Sequence, residues 1–141
     1  MGFNADIKRS LDDCIFFGNR YFPHLLTQKT AEFHRRIIEL ADTHCHDRIS
    51  ILAPRGHAKS TWLSVIYPIW RIVRDRDVKI IIVSDTGDQA EMFLRAIKDE
   101  LEANERLIED FYAFYERPYD LSLASVFSKK FQTSVIFSLT Y

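Results

Sequence analysis

The chain has 141 residues, 47% hydrophobic and 13% aromatic, with a net charge of -1. That is one domain's worth of chain with apolar matter enough for a core, and its charge excludes a protein that coats nucleic acid through bulk positive potential. Two distant cysteines, Cys14 and Cys45, exclude a disulfide framework and fit a reducing cytoplasm, and no apolar run reaches the roughly 18 residues of a membrane-spanning helix.

Met1-Gly2-Phe3-Asn4-Ala5-Asp6 lacks the apolar stretch of a secretion signal. Asn4 or Asp6 is the expected cap of a first helix with Ile7, Leu11 and Ile15 on one face, ended by Gly18-Asn19. Tyr21-Phe22-Pro23 reads as an aromatic turn, because proline restricts the residue before it. Thr30 is the expected N-cap of a second helix, whose stripe of Phe33, Ile37, Ile38 and Ala41 runs to about Asp42. In the polar link that follows, His44 and His46 flank Cys45. No second ligand pair follows at a zinc-site spacing, so this is a turn rather than a metal site.

Arg48-Ile49-Ser50-Ile51-Leu52 is a short β-branched run that suits a buried parallel strand. Ala53-Pro54-Arg55-Gly56-His57-Ala58-Lys59-Ser60-Thr61 follows, and it reads as a phosphate-binding loop. The standard pattern is G-x-x-x-x-G-K-[ST]. Ala53 and Ala58 stand at the two glycine positions, and Lys59 and Ser60 at the lysine and Mg²⁺-binding hydroxyl positions. Ala58 carries a steric cost if its position needs a positive φ. Trp62, Val65, Ile66, Ile69, Trp70 and Val73 share one helical face, so the loop feeds a helix from about Lys59. Free N–H groups at a helix start favour phosphate. The plain alternative is a strand-to-helix turn with a solvated Lys and Arg. Pro68 should bend that helix without ending it, because the stripe continues on both sides. Arg71, Arg74 and Arg76 suit its negative end.

Val78-Lys79-Ile80-Ile81-Ile82-Val83 reads as a second buried strand, completing a right-handed βαβ unit. Thr86-Gly87-Asp88-Gln89 is a capping box that opens a helix with Ala90, Phe93, Leu94, Ile97 and Leu101 inward. Asn104 is expected to close it in the left-handed conformation, and Leu107, Ile108 and Phe111 form a further short turn. From Tyr112 to Tyr141 the pattern is vague. Phe131–Phe137 suits a strand, an aggregation hazard unless paired.

Phe33-His34-Arg35-Arg36, the loop 53–61, Ile81-Ile82-Val83-Ser84-Asp85-Thr86 with Gln89-Ala90, and Ile97–Leu101 with Asn104 and Asp110-Phe111 together resemble a known family. It is the N-terminal ATPase domain of tailed-phage terminase large subunits, the motors that package viral DNA into procapsids. The resemblance covers about 30–111, and its most specific piece is Pro54-Arg55-Gly56 followed by Lys59-Ser60-Thr61. It implies ATP and Mg²⁺ as cofactors. Arg55, Gly56, His57, Ala58, Lys59, Ser60 and Thr61 would line the nucleotide, Lys59 on the β- and γ-phosphates and Ser60 on Mg²⁺. Arg55 would stabilise charge at the γ-phosphate, the logic of an arginine finger; pairing with a nearby carboxylate is its alternative role. His34 stands where many relatives have an adenine-reading Gln. The implied partners are double-stranded DNA, a terminase small subunit and a portal, with a homo-oligomeric ring in the host cytoplasm and no membrane.

The family's strand ending in Asp-Glu has no clear counterpart; Val83-Ser84-Asp85 comes nearest. The nuclease domain has no room in these residues. The expected fold is therefore α/β, an incomplete three-layer P-loop NTPase with parallel strands near 49–53 and 78–84. The expected division is a helical lead-in over 1–29, a partial NTPase core over 30–111 and a tail over 112–141. The expected function is that of a truncated terminase ATPase. A non-catalytic nucleotide-binding remnant is the alternative, and a small P-loop kinase the weaker one.

Overall fold

The computed structural model describes residues 5–43, 48–75, 78–112 and 136–138. The His44-Cys45-His46 cluster, Arg76 and most of the tail lie outside them. The chain divides into two compact units, Met1–Trp70 and Arg71–Tyr141.

Among the described residues, the regular elements of the first unit are all helices, joined by irregular stretches over 22–31 and 48–58. Helices α1 (Ala5–Asp12) and α2 (Cys14–Tyr21) replace the single helix expected there. Asp13 separates them. Its carboxylate accepts from the Ile15 and Phe16 amides at 2.9 and 3.1 Å, which starts α2 afresh. Gly18 does not end the helix; it lies inside α2 because a β-carbon there would meet the Trp62 ring at 2.5 Å. Helix α3 spans Glu32–Thr43. Thr30 donates to the Asn19 side chain instead of capping it.

The helix after the loop is built in three pieces: α4 (Lys59–Thr61), a π-helical turn over Trp62–Ile66, and α5 (Tyr67–Arg74). The pieces run on without a break, so Pro68 does not end the helix. The π turn directly precedes it, where a proline ring would otherwise crowd the carbonyl four residues back. Every residue of the expected stripe is buried: Trp62, Val65, Ile66, Ile69, Trp70 and Val73. Leu63, Ser64, Tyr67 and Pro68 are buried as well, so the stretch 62–70 of this helix is enclosed on all sides. Two polar side chains tie it in. The Tyr67 hydroxyl donates to the Ala41 carbonyl at 3.1 Å, and the Trp70 indole to the Ser10 carbonyl at 2.9 Å.

The second unit holds β1 (Ile81–Val83), α6 (Gly87–Ala103), α7 (Glu105–Tyr112) and β2 (Ile136–Ser138). Strand β1 pairs in parallel with β2, with Ile82 opposite Phe137. The end of the candidate strand Phe131–Phe137 is thus paired. Thr86 caps α6 as expected, its hydroxyl accepting from the Gln89 amide at 3.3 Å. Phe93, Ile97 and Leu101 are buried, as are Leu107 and Phe111 of α7, whereas Ala90 is half-buried and Leu94, expected inward, is exposed. Asn104 is not left-handed. It takes an extended conformation, and its side chain accepts from the Leu107 amide, so it starts α7 while closing α6.

These observations overturn the expected fold class. A three-layer P-loop sheet is absent from the described residues, which are mostly helical, with one pair of three-residue strands. Residues 49–53 form no strand, and Val78–Ser84 contributes only Ile81–Val83. The βαβ unit fails with its first strand. The physical reason lies in hydrogen bonding. A strand exists only if its N–H and C=O groups find a neighbouring strand, and among the described residues none pairs with 48–54. Leu52 is 88% exposed, so the run is not the buried strand its apolar letters suggested. Among the described residues, no helix is long and apolar enough to cross a membrane.

Candidate functional site

Residues 53–61 leave an irregular segment and enter α4 at Lys59. Within the loop the backbone alternates in hand. Gly56 has φ +82°, and Ala58 has φ 52° and ψ 18°, the only non-glycine residue with positive φ among those described. The Ala58 position therefore does need the conformation that glycine takes freely. Alternation of this kind brings successive N–H groups together on one side of a loop, the nest geometry that attracts anions.

Lys59 folds back across the loop. Its Nζ donates to the Ala53 carbonyl at 3.3 Å, so the ammonium links the two ends of the motif. Ser60 and Thr61 are half-buried in the first helical turn. Arg55 is exposed, and its guanidinium has no partner among the described residues, so the carboxylate pairing considered for it is not made there. His57 is exposed and turns its Nδ1 onto the Arg55 carbonyl at 3.0 Å, which tightens the loop.

His34 sits behind the loop and is 7% exposed. Its Nδ1 accepts from the Ala31 amide at 3.0 Å, the reciprocal half of a capping box at the start of α3. Its Nε2 lies 2.8 Å from the His57 carbonyl. Both ring nitrogens are thus occupied by backbone, and neither is open to an adenine edge. The ring packs on Phe33 and Trp62, with centroids 3.9 and 5.8 Å away.

No protein-family model, curated protein or solved structure matches the chain. The site is therefore argued from its own geometry. Beside the loop opens a groove of about 410 Å³ that shares Ala53, Pro54 and His57 with it and is otherwise walled by Phe33, Ile37 and Leu52 among others. Its volume is within the usual range of small-molecule sites. The sequence offered no signal for this groove, because its walls come from α3 and the 50–57 segment, which no local pattern brings together. Asp85, the nearest counterpart of a strand-end acid, follows β1 in the second unit and is exposed. Among the described residues no three His, Cys, Asp or Glu side chains gather as a metal site.

Proposed function

We propose that the loop 53–61 binds the phosphates of a Mg²⁺-nucleotide, and that the chain supplies the nucleotide-binding segment of a terminase-type DNA-packaging ATPase. The observation that carries the reading is the Lys59 ammonium folded over a loop in which Gly56 and Ala58 both have positive φ. That arrangement offers converging amides and a cation, which is what a polyphosphate requires. Lys59 would hold the β- and γ-phosphates, and Arg55, exposed and without a partner among the described residues, would be available to the γ-phosphate. Ser60 would contribute one oxygen to Mg²⁺. Mg²⁺ ordinarily takes few protein ligands alongside phosphate and water, so a lone hydroxyl fits. The apolar groove next to the loop supports a nucleotide over a bare polyphosphate, because a base needs a partly apolar wall. DNA, a small subunit, a portal and a ring of copies would be the partners of that assembly, in the host cytoplasm.

A second reading, nucleotide binding without turnover, is favoured by the helical character of the described residues. Phosphoryl transfer needs an acid on Mg²⁺ and an oriented water in addition to the cradle. Wild-type protein and Lys59→Ala are titrated with a fluorescent ATP analogue and Mg²⁺. The expected loss is on the order of tenfold or more, since hydrogen bonds to charged groups contribute roughly 1.5–3 kcal/mol. Equal binding by both proteins would remove the phosphate-loop reading. Phosphate release, assayed with and without duplex DNA, separates the two: DNA-stimulated release that Lys59→Ala abolishes supports the motor, and release at background supports the binding module.

A further inference from the structure

We propose that His34 is a positioning residue that holds the 57–58 peptide of the loop in its binding orientation. The inference rests on the phosphate-binding reading of 53–61. The tautomer follows from the partners. The Ala31 amide is a donor, so Nδ1 accepts; the neutral ring then carries its hydrogen on Nε2 and donates it to the His57 carbonyl.

The consequence follows from peptide geometry. The carbonyl of His57 and the N–H of Ala58 belong to one planar trans unit and point in opposite directions. Holding the carbonyl toward His34 turns the Ala58 N–H away from it. The same peptide sets the φ of Ala58, which at 52° is sterically disfavoured for alanine. Rotating this peptide would relieve Ala58 while leaving the chain path nearly unchanged. It would also break the 2.8 Å contact to His34. The histidine therefore opposes the relaxation that Ala58 favours. Its ring packs against those of Phe33 and Trp62.

The two nitrogens can be separated experimentally. In His34→Gln an amide N–H donor stands near the Nε2 position; in His34→Asn the shorter side chain keeps an acceptor for Ala31 but does not reach His57. Each is made alone and with Ala58→Gly. Tripolyphosphate with Mg²⁺ is titrated calorimetrically, and the Ala58 Cα and Cβ chemical shifts report its backbone conformation without ligand. His34→Asn is expected to move the Ala58 shifts away from left-handed values and to weaken tripolyphosphate about tenfold. His34→Gln is expected to stay near wild type in both. Ala58→Gly is expected to shrink the His34→Asn deficit, a coupling that a merely structural role would not produce. Identical Ala58 shifts in the Asn and Gln variants overturn the proposal, as does a deficit unchanged by Ala58→Gly. If wild type takes no tripolyphosphate, the phosphate reading falls, and the Ala58 shifts still decide whether His34 holds the peptide.

Discussion

Two neighbouring stretches of the first unit are almost equally apolar and end up in opposite environments. Ile49–Ala53 lies partly open, with Ile49 and Leu52 37% and 88% exposed and Ile51 and Ala53 half-buried. Trp62–Trp70, nine residues further on, is enclosed, with Ile66 and Ile69 at 0%. The helix satisfies its own backbone, so apolar side chains are all it needs in order to be buried. The open stretch has no partner strand among the described residues, and burying its unpaired amides would cost more than its side chains return. Apolar letters alone do not decide burial; the backbone's hydrogen bonds decide it first.

Mutations can break or sharpen this contrast. The largest effect is expected at the start of the enclosed stretch. Trp62→Ala should cost about 3–5 kcal/mol in urea unfolding, as a large buried ring leaves a cavity. The Trp62 indole N–H has no hydrogen-bond partner among the described residues, so Trp62→Phe should cost less than Trp62→Ala, through lost ring volume alone. If Phe is as damaging as Ala, an unseen partner of that N–H is present.

Asp13→Ala comes next, at about 1 kcal/mol by the same measurement, because it removes both amide bonds at the start of α2. Its contact with Arg35, 3.5 Å away and partly exposed, should add little. Ala58→Gly should stabilise the protein by about 1 kcal/mol, relieving the left-handed alanine. A loss of stability there would mean that the loop is not in this conformation in solution. The smallest effect is expected at Leu52→Ser. A change within about 0.5 kcal/mol is expected, since the side chain already stands in water. A loss of several kcal/mol would place Leu52 in a core and revive the strand.

The sequence carried the helices better than the sheet for the same reason. The stripe from Trp62 to Val73 and that of Phe93, Ile97 and Leu101 were legible because a helix's pattern is local. Thr86 was legible as a cap for the same cause. Asp13 was missed because it interrupts a stripe that continues on both sides of it. Gly18 was misread as a stop because its reason is a distant ring. The strand at 49–53 was misassigned because pairing is not written in the run itself. At the site, the loop's place before a helix and the strain at Ala58 were foreseen from spacing. The attachment of His34 to His57 joins residues 23 apart, and no local pattern encodes it.

The two tryptophans, the only ones in the chain, give the molecule an optical gauge at its candidate site. Trp62 follows the loop by one residue, and its buried indole N–H makes no bond among the described residues; Trp70 donates to the Ser10 carbonyl. Indole emission shifts to shorter wavelength as its surroundings become less polar, so the two rings should emit differently. Trp70→Phe would leave Trp62 as the sole emitter. Its ring touches both the His34 imidazole and the close approach at Gly18, so a movement of the loop would alter its spectrum without any added dye.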